Sequence, residues 1–359
     1  MLQSISLHNF KNHLERSLSF AEGNIIFWPN WAWKTNIIEA IYFLINWNSF
    51  WQLNNSQVLN YENENFLISW SIKDDWIWKE LKITYLKEWN RLNFFYNNSK
   101  VTRPKYSTST DRIAIFFSPM EMNIMYLWPS LRRDFLDEVS MLDSPSFHRI
   151  KSDYSKILKN RNRLLKEIKE NNASKDDLKF WNRNFILKSK EYYSIRMPFI
   201  EYIKDNMSII SQLLENKYEL SLEYETKVDN SNIEQSIERY LEINEQRDII
   251  TWHTYIWPHL DDIIFKARWW KELHPVSEML SRWENKSILI ALKFLEIEYF
   301  RKKHDFDIIL LLDDIFSELD DHHVDLVLDY AKKYQTFITT QNIPWFLLEN
   351  TDFKLIEIK

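Results

Sequence analysis

The chain has 359 residues, a formal net charge of −6, 45% hydrophobic and 27% charged residues, which is the composition of a globular protein long enough for more than one compact unit. The negative balance excludes a uniformly basic surface for nucleic acid but leaves room for a local patch. There is no cysteine, so disulfides and thiolate metal sites are excluded.

The first twenty residues, MLQSISLHNFKNHLERSLSF, show no apolar core followed by a small-residue cleavage site. The longest apolar runs, such as IAIFF and IILLL, are far shorter than a membrane span. A cytoplasmic protein without membrane association is expected. One count is abnormal: 1 glycine against 17 tryptophans, where glycine usually makes up about 7% of residues. Positive φ and close backbone approach normally call for glycine. Tryptophans fall where turns are expected, in KEWNR at 87–91, ARWWKE at 267–272 and SWSIKDDWIWKE at 69–80. The pattern reads as tryptophan standing at glycine positions, the alternative being tryptophan used for packing.

Taken in chain order, residues 2–8, 18–20 and 24–27 read as short strands, and KTNIIEAIYFLI at 34–45 as a helix with apolar residues at 37, 38, 41, 44 and 45. Residues 66–96 hold further strands (FLISW, WIWKELKITYLK, RLNFFYN), the polar stretch 97–111 reads as a loop, and RIAIFFSP at 112–119 as a buried strand ending at proline. Residues 130–250 mix charged and apolar positions at helical spacing, interrupted by Pro145 and Pro198. No heptad runs far enough for a long coiled coil. Within this region 151–190 carries 12 Lys/Arg against 5 Asp/Glu, either a partner or nucleic-acid surface or a solvated face. A helix over 285–303, an apolar strand over 307–314, a strand and turn over 336–341 and a closing FKLIEIK follow. Continuous apolar strands alternating with helices predict an α/β fold with a sheet covered on both faces.

The stretch WPNWAWKT at 28–35 has the form of a phosphate loop, G-x-x-x-x-G-K-[ST], with Trp28 and Trp33 at its two glycine positions. A strand precedes it and a helix follows at the lysine. In such a loop successive N–H groups and the helix N-terminus face the phosphates, Lys34 reaches the β- and γ-phosphates, and Thr35 places its hydroxyl on Mg²⁺. A lysine–threonine pair before a helix is by itself weak evidence. IILLLDDIFSELDD at 308–321 supplies a second part, an apolar strand ending in Asp313 and Asp314. Asp313 stands where a phosphate-bound Mg²⁺ would sit, and Asp314 could polarise an attacking water. A solvated strand end is the other reading of two adjacent acids. In MLSRWENKS, Ser281 and Glu284 have the spacing of a capping box, and the same helix N-terminus suits a γ-phosphate presented by another subunit.

Together these pieces resemble the RecF family of DNA recombination and repair proteins, relatives of the SMC ATPases. The resemblance runs through ISLHNFKNH (5–13), WPNWAWKTNIIEAIYFL (28–44), FFSPMEMNIMYLWPSLRRDFLDE (116–138), ILKNRNRLLK (157–166), TWHTYIWPHLDDIIF (251–265), LSRWENKSILIALK (280–293), LLLDDIFSELD (310–320) and TTQ (339–341). It implies an ABC-type (P-loop) ATPase head with a mostly helical second lobe: residues 1–117 and 294–359 in the first lobe, 118–293 in the second. It implies ATP and Mg²⁺ as cofactors, with Trp28, Pro29, Asn30, Trp31, Ala32, Trp33, Lys34, Thr35 and Asn36 forming the loop around the phosphates. Thr35 and Asp313 would hold the metal, Asp314 would be the base, and Ser281, Arg282, Trp283 and Glu284 would touch ATP across a head-to-head dimer. Asp320 matches the loop joining the two sites, and Thr340 and Gln341 the switch after the next strand. The family binds single- and double-stranded DNA at gaps and junctions as an ATP-dependent homodimer, and works with RecR and RecO, and indirectly RecA, through a slow, regulatory ATPase.

The departures lie at Trp28, Trp31, Trp33, Trp128, Trp257 and Trp283, where the family has glycine, and at Leu260, where it has a basic residue. A bulky residue forced into a left-handed conformation costs roughly 1–3 kcal/mol, and an indole fills space that phosphate oxygens need. A disabled ATP site in an SMC-like or non-catalytic DNA-binding scaffold is therefore the alternative function. Lys159, Arg161, Arg163 and Lys166 are candidate DNA contacts. Arg132 and Arg133 suit DNA, an interface or a surface salt bridge.

Overall fold

The computed structural model describes the chain except residues 28–30, 48–56, 61, 75–76, 120, 122–128, 257, 259, 270–271, 305, 318, 342, 351–352 and 359, and the side chains of 31–33, 73–74, 77, 346 and 349–350. Trp28, Pro29, Asn30, Trp128 and Trp257 thus lie outside the described residues. The chain divides into two compact units, Met1–Met122 with Phe300–Lys359, and Asn123–Tyr299.

The first unit begins with β1 (Leu2–Phe10), β2 (His13–Ser19), β3 (Gly23–Phe27) and α1 (Trp31–Asn46). β4 (Asn65–Asp74), β5 (Ile77–Leu86), β6 (Arg91–Tyr96), β7 (Ser99–Val101), α2 (Arg103–Thr110) and β8 (Arg112–Phe117) follow. One sheet, in the order β2-β1-β4-β5-β6-β7, is antiparallel throughout. α1 packs against strands of this sheet on one side and against β8 on the other. Ile37, Ile38, Ile41, Leu44 and Ile45 are all fully buried, as their helical spacing predicts. Tyr42 and Phe43 are buried as well, so α1 is enclosed on more than one face. Its end is fastened by Asn46, whose amide donates to the Ala114 carbonyl (2.7 Å) and accepts from the Ala114 N–H (3.1 Å). The only glycine, Gly23, opens β3 where a Cβ would overlap the Phe353 ring.

The polar stretch 97–111 departs from the expected loop: it forms β7 and α2. Thr102 caps α2, its hydroxyl accepting from the Lys105 N–H (3.5 Å), and a proline occupies the first turn. Polar composition hid this helix, because Tyr106 is the large apolar side chain it buries.

The second unit contains α3 (Pro129–Asp143), α4 (Phe147–Lys169), α5 (Leu178–Asp205), α6 (Met207–Leu213), β9 (Leu220–Glu225) and α7 (Ile233–Thr251). β10 (Asp262–Trp269), β11 (Glu272–Pro275), α8 (Val276–Met279) and most of α9 (Arg282–His304) complete it. It is mostly helical but carries a three-stranded sheet, β11-β10-β9, so β9 corrects the helical reading of 130–250, which foresaw breaks only at its prolines. Pro145 lies in the break between α3 and α4, whereas Pro198 sits inside α5. Neighbouring Arg196, Phe199, Ile200 and Ile203 are buried, and that packing offsets the lost backbone bond.

The chain then returns to the first unit with β12 (Asp307–Asp313), α10 (Asp321–Ala331), β13 (Gln335–Thr340), α11 (Trp345–Asn350) and β14 (Lys354–Glu357). The order β14-β3-β13-β12-β8 is parallel at every pairing. β12 and β8 are apolar and buried almost end to end, as expected of a sheet covered on both faces.

Among the described residues two tryptophans have left-handed backbones: Trp47 at φ 48° and Trp252 at φ 55°. Each follows a helix end, where glycine is the usual residue. Trp252 is 46% exposed. Its ring lies 5.4 Å from Lys166 Nζ and 5.9 Å from Lys169 Nζ, contacts worth about 0.5–1 kcal/mol when exposed. The left-handed conformation costs about 1–2 kcal/mol. Trp252→Gly is therefore expected to stabilise the second unit by about 0.5–1 kcal/mol, seen as a higher urea midpoint at unchanged m-value. Trp47 packs against the buried core, so the same change there loses contacts that Trp252 does not make.

Candidate nucleotide site

In parallel α/β sheets ligands bind beyond the carboxyl ends of the strands. β3, β13 and β12 lie side by side, with Phe27 opposite Thr340 and Thr339 opposite Asp313. The chain leaving β3 passes through 28–30 into α1, which begins at Trp31 rather than at the lysine. Lys34 and Thr35 lie in its first turns. Lys34 is buried, and its Nζ donates to the Thr340 carbonyl (2.8 Å). Burial lowers the Lys34 ammonium below the ordinary lysine value, against the opposing pull of Asp314 and Asp313.

The Thr35 hydroxyl lies 3.1 Å from both carboxylate oxygens of Asp313. Asp313 is 8% exposed. Burial raises its carboxyl above the ordinary aspartate range; hydrogen bonds from Thr339 and Thr35 oppose the rise, and Asp314 adds to it. Asp314 has a left-handed backbone at φ 51°, a conformation aspartate tolerates better than most residues. Its N–H donates to the Thr339 carbonyl (3.1 Å), which fixes the turn after β12. Asn36 donates to Asn12 (2.5 Å), tying α1 to the β1–β2 turn.

Thr339 was not singled out by sequence. Its hydroxyl donates to Asp313 Oδ1 at 2.5 Å, and it is fully buried. The in-register parallel pairing of β12 and β13 puts it there, and no local motif marks that pairing. Thr340 is buried, and Gln341 is half-buried just past β13. Asp320 caps α10, accepting from the His323 N–H (3.1 Å) and facing His323 Nδ1 at 2.7 Å. The oxygen donors of Thr35 and Asp313 suit a hard cation that completes its shell with phosphate oxygens and water. No cluster of three or more acidic or histidine ligands exists among the described residues.

In the second unit Ser281 and Glu284 form the capping box their spacing predicts. Glu284 Oε2 accepts from the Ser281 N–H (2.9 Å) and hydroxyl (2.7 Å), and the Glu284 N–H faces Ser281 Oγ at 3.3 Å. The buried amide of Asn285 donates to the carbonyls of Val276, Leu280 and Ser281, which ties the turn to the helix it opens. Arg282 is exposed and Trp283 half-buried.

The basic candidates change meaning. Arg132 makes a two-pronged bond to Asp262 (2.8 and 2.6 Å), and Arg133 reaches the Asp261 carbonyl (3.4 Å). The pair holds the PHLDD segment in place. Arg161 is fully buried, bonded to Asn182 (2.8 Å), Asp248 (3.2 Å) and Thr254; it is not available to DNA. Arg163 pairs with Glu167 and Lys166 with Glu170, while Lys159 is exposed. Much of the excess positive charge on α4 is therefore balanced locally.

A parallel sheet whose carboxyl edge brings together a lysine–threonine helix start and two strand-end aspartates, in a chain with a second, mostly helical unit, defines an ABC-type P-loop ATPase head. No family model matches the chain. It is 30% identical to the DNA replication and repair protein RecF of Moorella thermoacetica, over 95% of this chain and 90% of that one. It is 29% identical to the RecF of Ruminiclostridium cellulolyticum, over 98% and 96%. The recombination mediator protein RecF-ATPrS superposes with a TM-score of 0.86 at 24% identity, covering 100% of this chain and 96% of that one. An Smc head bound to the C-terminal winged-helix domain of ScpA gives 0.54 at 15% identity, covering 99% and 93%. The chain belongs to the RecF family of DNA replication and repair proteins.

Among the described residues no helix is long and apolar enough to cross a membrane.

Proposed function

We propose that this chain is an ATP-dependent DNA-binding protein of recombinational repair and replication-fork maintenance, acting with RecR and RecO to help load RecA at single-stranded gaps. The observation that carries the ATP part is the convergence of Lys34, Thr35, Asp313 and Thr340 at one edge of the parallel sheet. Lys34 binds the outer phosphates once its ammonium leaves the Thr340 carbonyl. Thr35 and Asp313 would hold Mg²⁺, which would neutralise phosphate charge. Asp314 accepts the proton of the attacking water. Ser281 and the N-terminus of α9 close the site of a second copy, so that ATP acts as a dimer clamp. Asp320 belongs to the loop that joins the two sites, and Thr340 and Gln341 to the switch at the end of β13. The clamp grips DNA through phosphate contacts, which position without reading sequence.

The test is sedimentation of a chain carrying Trp28→Gly, Trp31→Gly, Trp33→Gly and Trp283→Gly. A monomer without nucleotide and a DNA-retaining dimer with Mg²⁺ and ATP are expected. An assembly state and DNA affinity indifferent to ATP would overturn the proposal. The tryptophans at 28, 31 and 33 favour a second reading for the chain as it stands, a DNA-binding scaffold with a disabled ATP site, and its mark is DNA binding that ignores ATP.

A further inference from the structure

Glu284 is held by more than its capping box. Its second carboxylate oxygen, Oε1, accepts from the hydroxyl of Tyr218 (2.8 Å), a residue 66 positions away in the segment entering β9. Burial raises the Glu284 carboxyl; the Ser281 N–H and hydroxyl, Tyr218 and the charge of Lys217 outweigh it, and the net direction is downward. Lys217 Nζ also lies 5.7 Å from the Trp283 ring. The Ser281–Glu284 pair alone would leave one carboxylate oxygen to water and the side chain free to turn about its last bond. With Tyr218 bound, both oxygens are fixed, and the Ser281 hydroxyl keeps one direction.

We infer that Tyr218 is a positioning residue for the signature serine, orienting Ser281 through the Glu284 carboxylate for contact with the nucleotide of a second copy. The inference rests on the proposed trans role of Ser281. No sequence motif marks Tyr218, because the segment before β9 reaches the start of α9 only in the folded unit. The mechanism is pre-organisation: a hydroxyl already aimed loses less freedom when the dimer closes.

Tyr218→Phe removes the hydroxyl and keeps the ring, and two measurements separate the outcomes. Amide exchange at Ser281, whose N–H is bonded to Glu284, is read on the chain as it stands without nucleotide. Several-fold faster exchange confined to the start of α9 is expected, and unchanged exchange would overturn the relay. ATP-driven dimerisation is read in the background carrying glycine at 28, 31, 33 and 283. There Tyr218→Phe is expected to raise the half-dimerisation concentration about tenfold, the scale of one bond to a charged group, with monomer ATP affinity unchanged. In a Ser281→Ala background the same change is expected to have no further effect. Faster exchange with unaltered dimerisation, or an equal loss of monomer ATP affinity, would overturn the positioning role. If the Tyr218 parent itself shows no ATP-driven dimer, the proposed trans role of Ser281 falls, and with it this inference, whatever the exchange shows.

Discussion

Asp314→Asn is expected to slow ATP hydrolysis by roughly 100- to 10,000-fold, the usual contribution of a positioned general base, while ATP affinity stays within about twofold. The substitution is conformationally mild. Position 314 has φ 51°, which asparagine adopts readily, and the N–H bond to the Thr339 carbonyl survives. What changes is the capacity to take a proton. Removing one of two adjacent carboxylates also relieves the charge that raises Asp313, so Mg²⁺ binding is not expected to weaken. The ATP-bound dimer should then persist, because hydrolysis is the step that opens it. The measurement is single-turnover hydrolysis beside an ATP titration, in the chain with glycine at 28, 31 and 33. A rate within threefold of the parent would remove Asp314 from the role of base.

Arg196→Met is expected to destabilise the second unit by about 3–5 kcal/mol, the cost of leaving a buried charge without its partner. Arg196 is 1% exposed. It donates to the Pro258 carbonyl (2.6 Å), the Tyr192 hydroxyl (2.9 Å) and the Asp137 carboxylate. Asp137 also accepts from Tyr192 (2.6 Å) and pairs with Lys151 (2.8 Å). Burial alone would raise the Asp137 carboxyl; Arg196 and Lys151 outweigh it and hold it below the ordinary aspartate value. A carboxyl lowered in the folded state stabilises fully above its unfolded pKa of about 3.9. That contribution is lost as pH falls through the lower folded value. In Arg196→Met only Lys151 and Tyr192 are left to oppose burial, so the folded value rises and less of this pH-dependent stability should remain. Asp137→Leu together with Arg196→Met should cost less than the single change, since the charge left over is Lys151, whose side chain reaches solvent. Urea unfolding at several pH values checks both statements.

How much of this was legible in the sequence depends on the reach of the interaction. The strands and helices that carry Lys34, Thr35, Asp313 and Asp314 have long, uniform apolar patterns, and their bounds shift by only a few residues. Ser281 and Glu284 were legible because a capping box lies within four residues. What failed depends on distant partners. Arg161 looked like a surface charge until α4 met Asp248 of α7. Arg132 and Arg133 proved to be fasteners of the 258–262 segment. Thr339 and Tyr218 gained their places from strand pairing and from a turn brought in from far along the chain. Pro198 stays inside α5 because propensity is weaker than the burial around it.

The tryptophans are the main discord between sequence and fold. Trp252 occupies a left-handed helix end, and Trp89 lies 67% exposed in the turn between β5 and β6. Trp70, by contrast, is buried and packs in the core. Trp252 sits where glycine serves a backbone need, Trp89 in an exposed turn whose left-handed residue is Asn90, and Trp70 where a large apolar ring serves packing. Positions 28 and 33 are the glycine positions of the phosphate-loop pattern, although α1 already begins at Trp31 and takes in Trp33.

The most direct test is a titration of fluorescent ATP with Mg²⁺ into the chain and into its Trp28→Gly, Trp31→Gly, Trp33→Gly form, with circular dichroism confirming that both are folded. Binding by the glycine form is the expected result, since the site stands where Lys34, Thr35 and Asp313 converge; the chain as it stands binds as well under the ATP-dependent reading and does not under the scaffold reading. A folded glycine form that binds no ATP would contradict the assignment of this edge of the sheet as a nucleotide site.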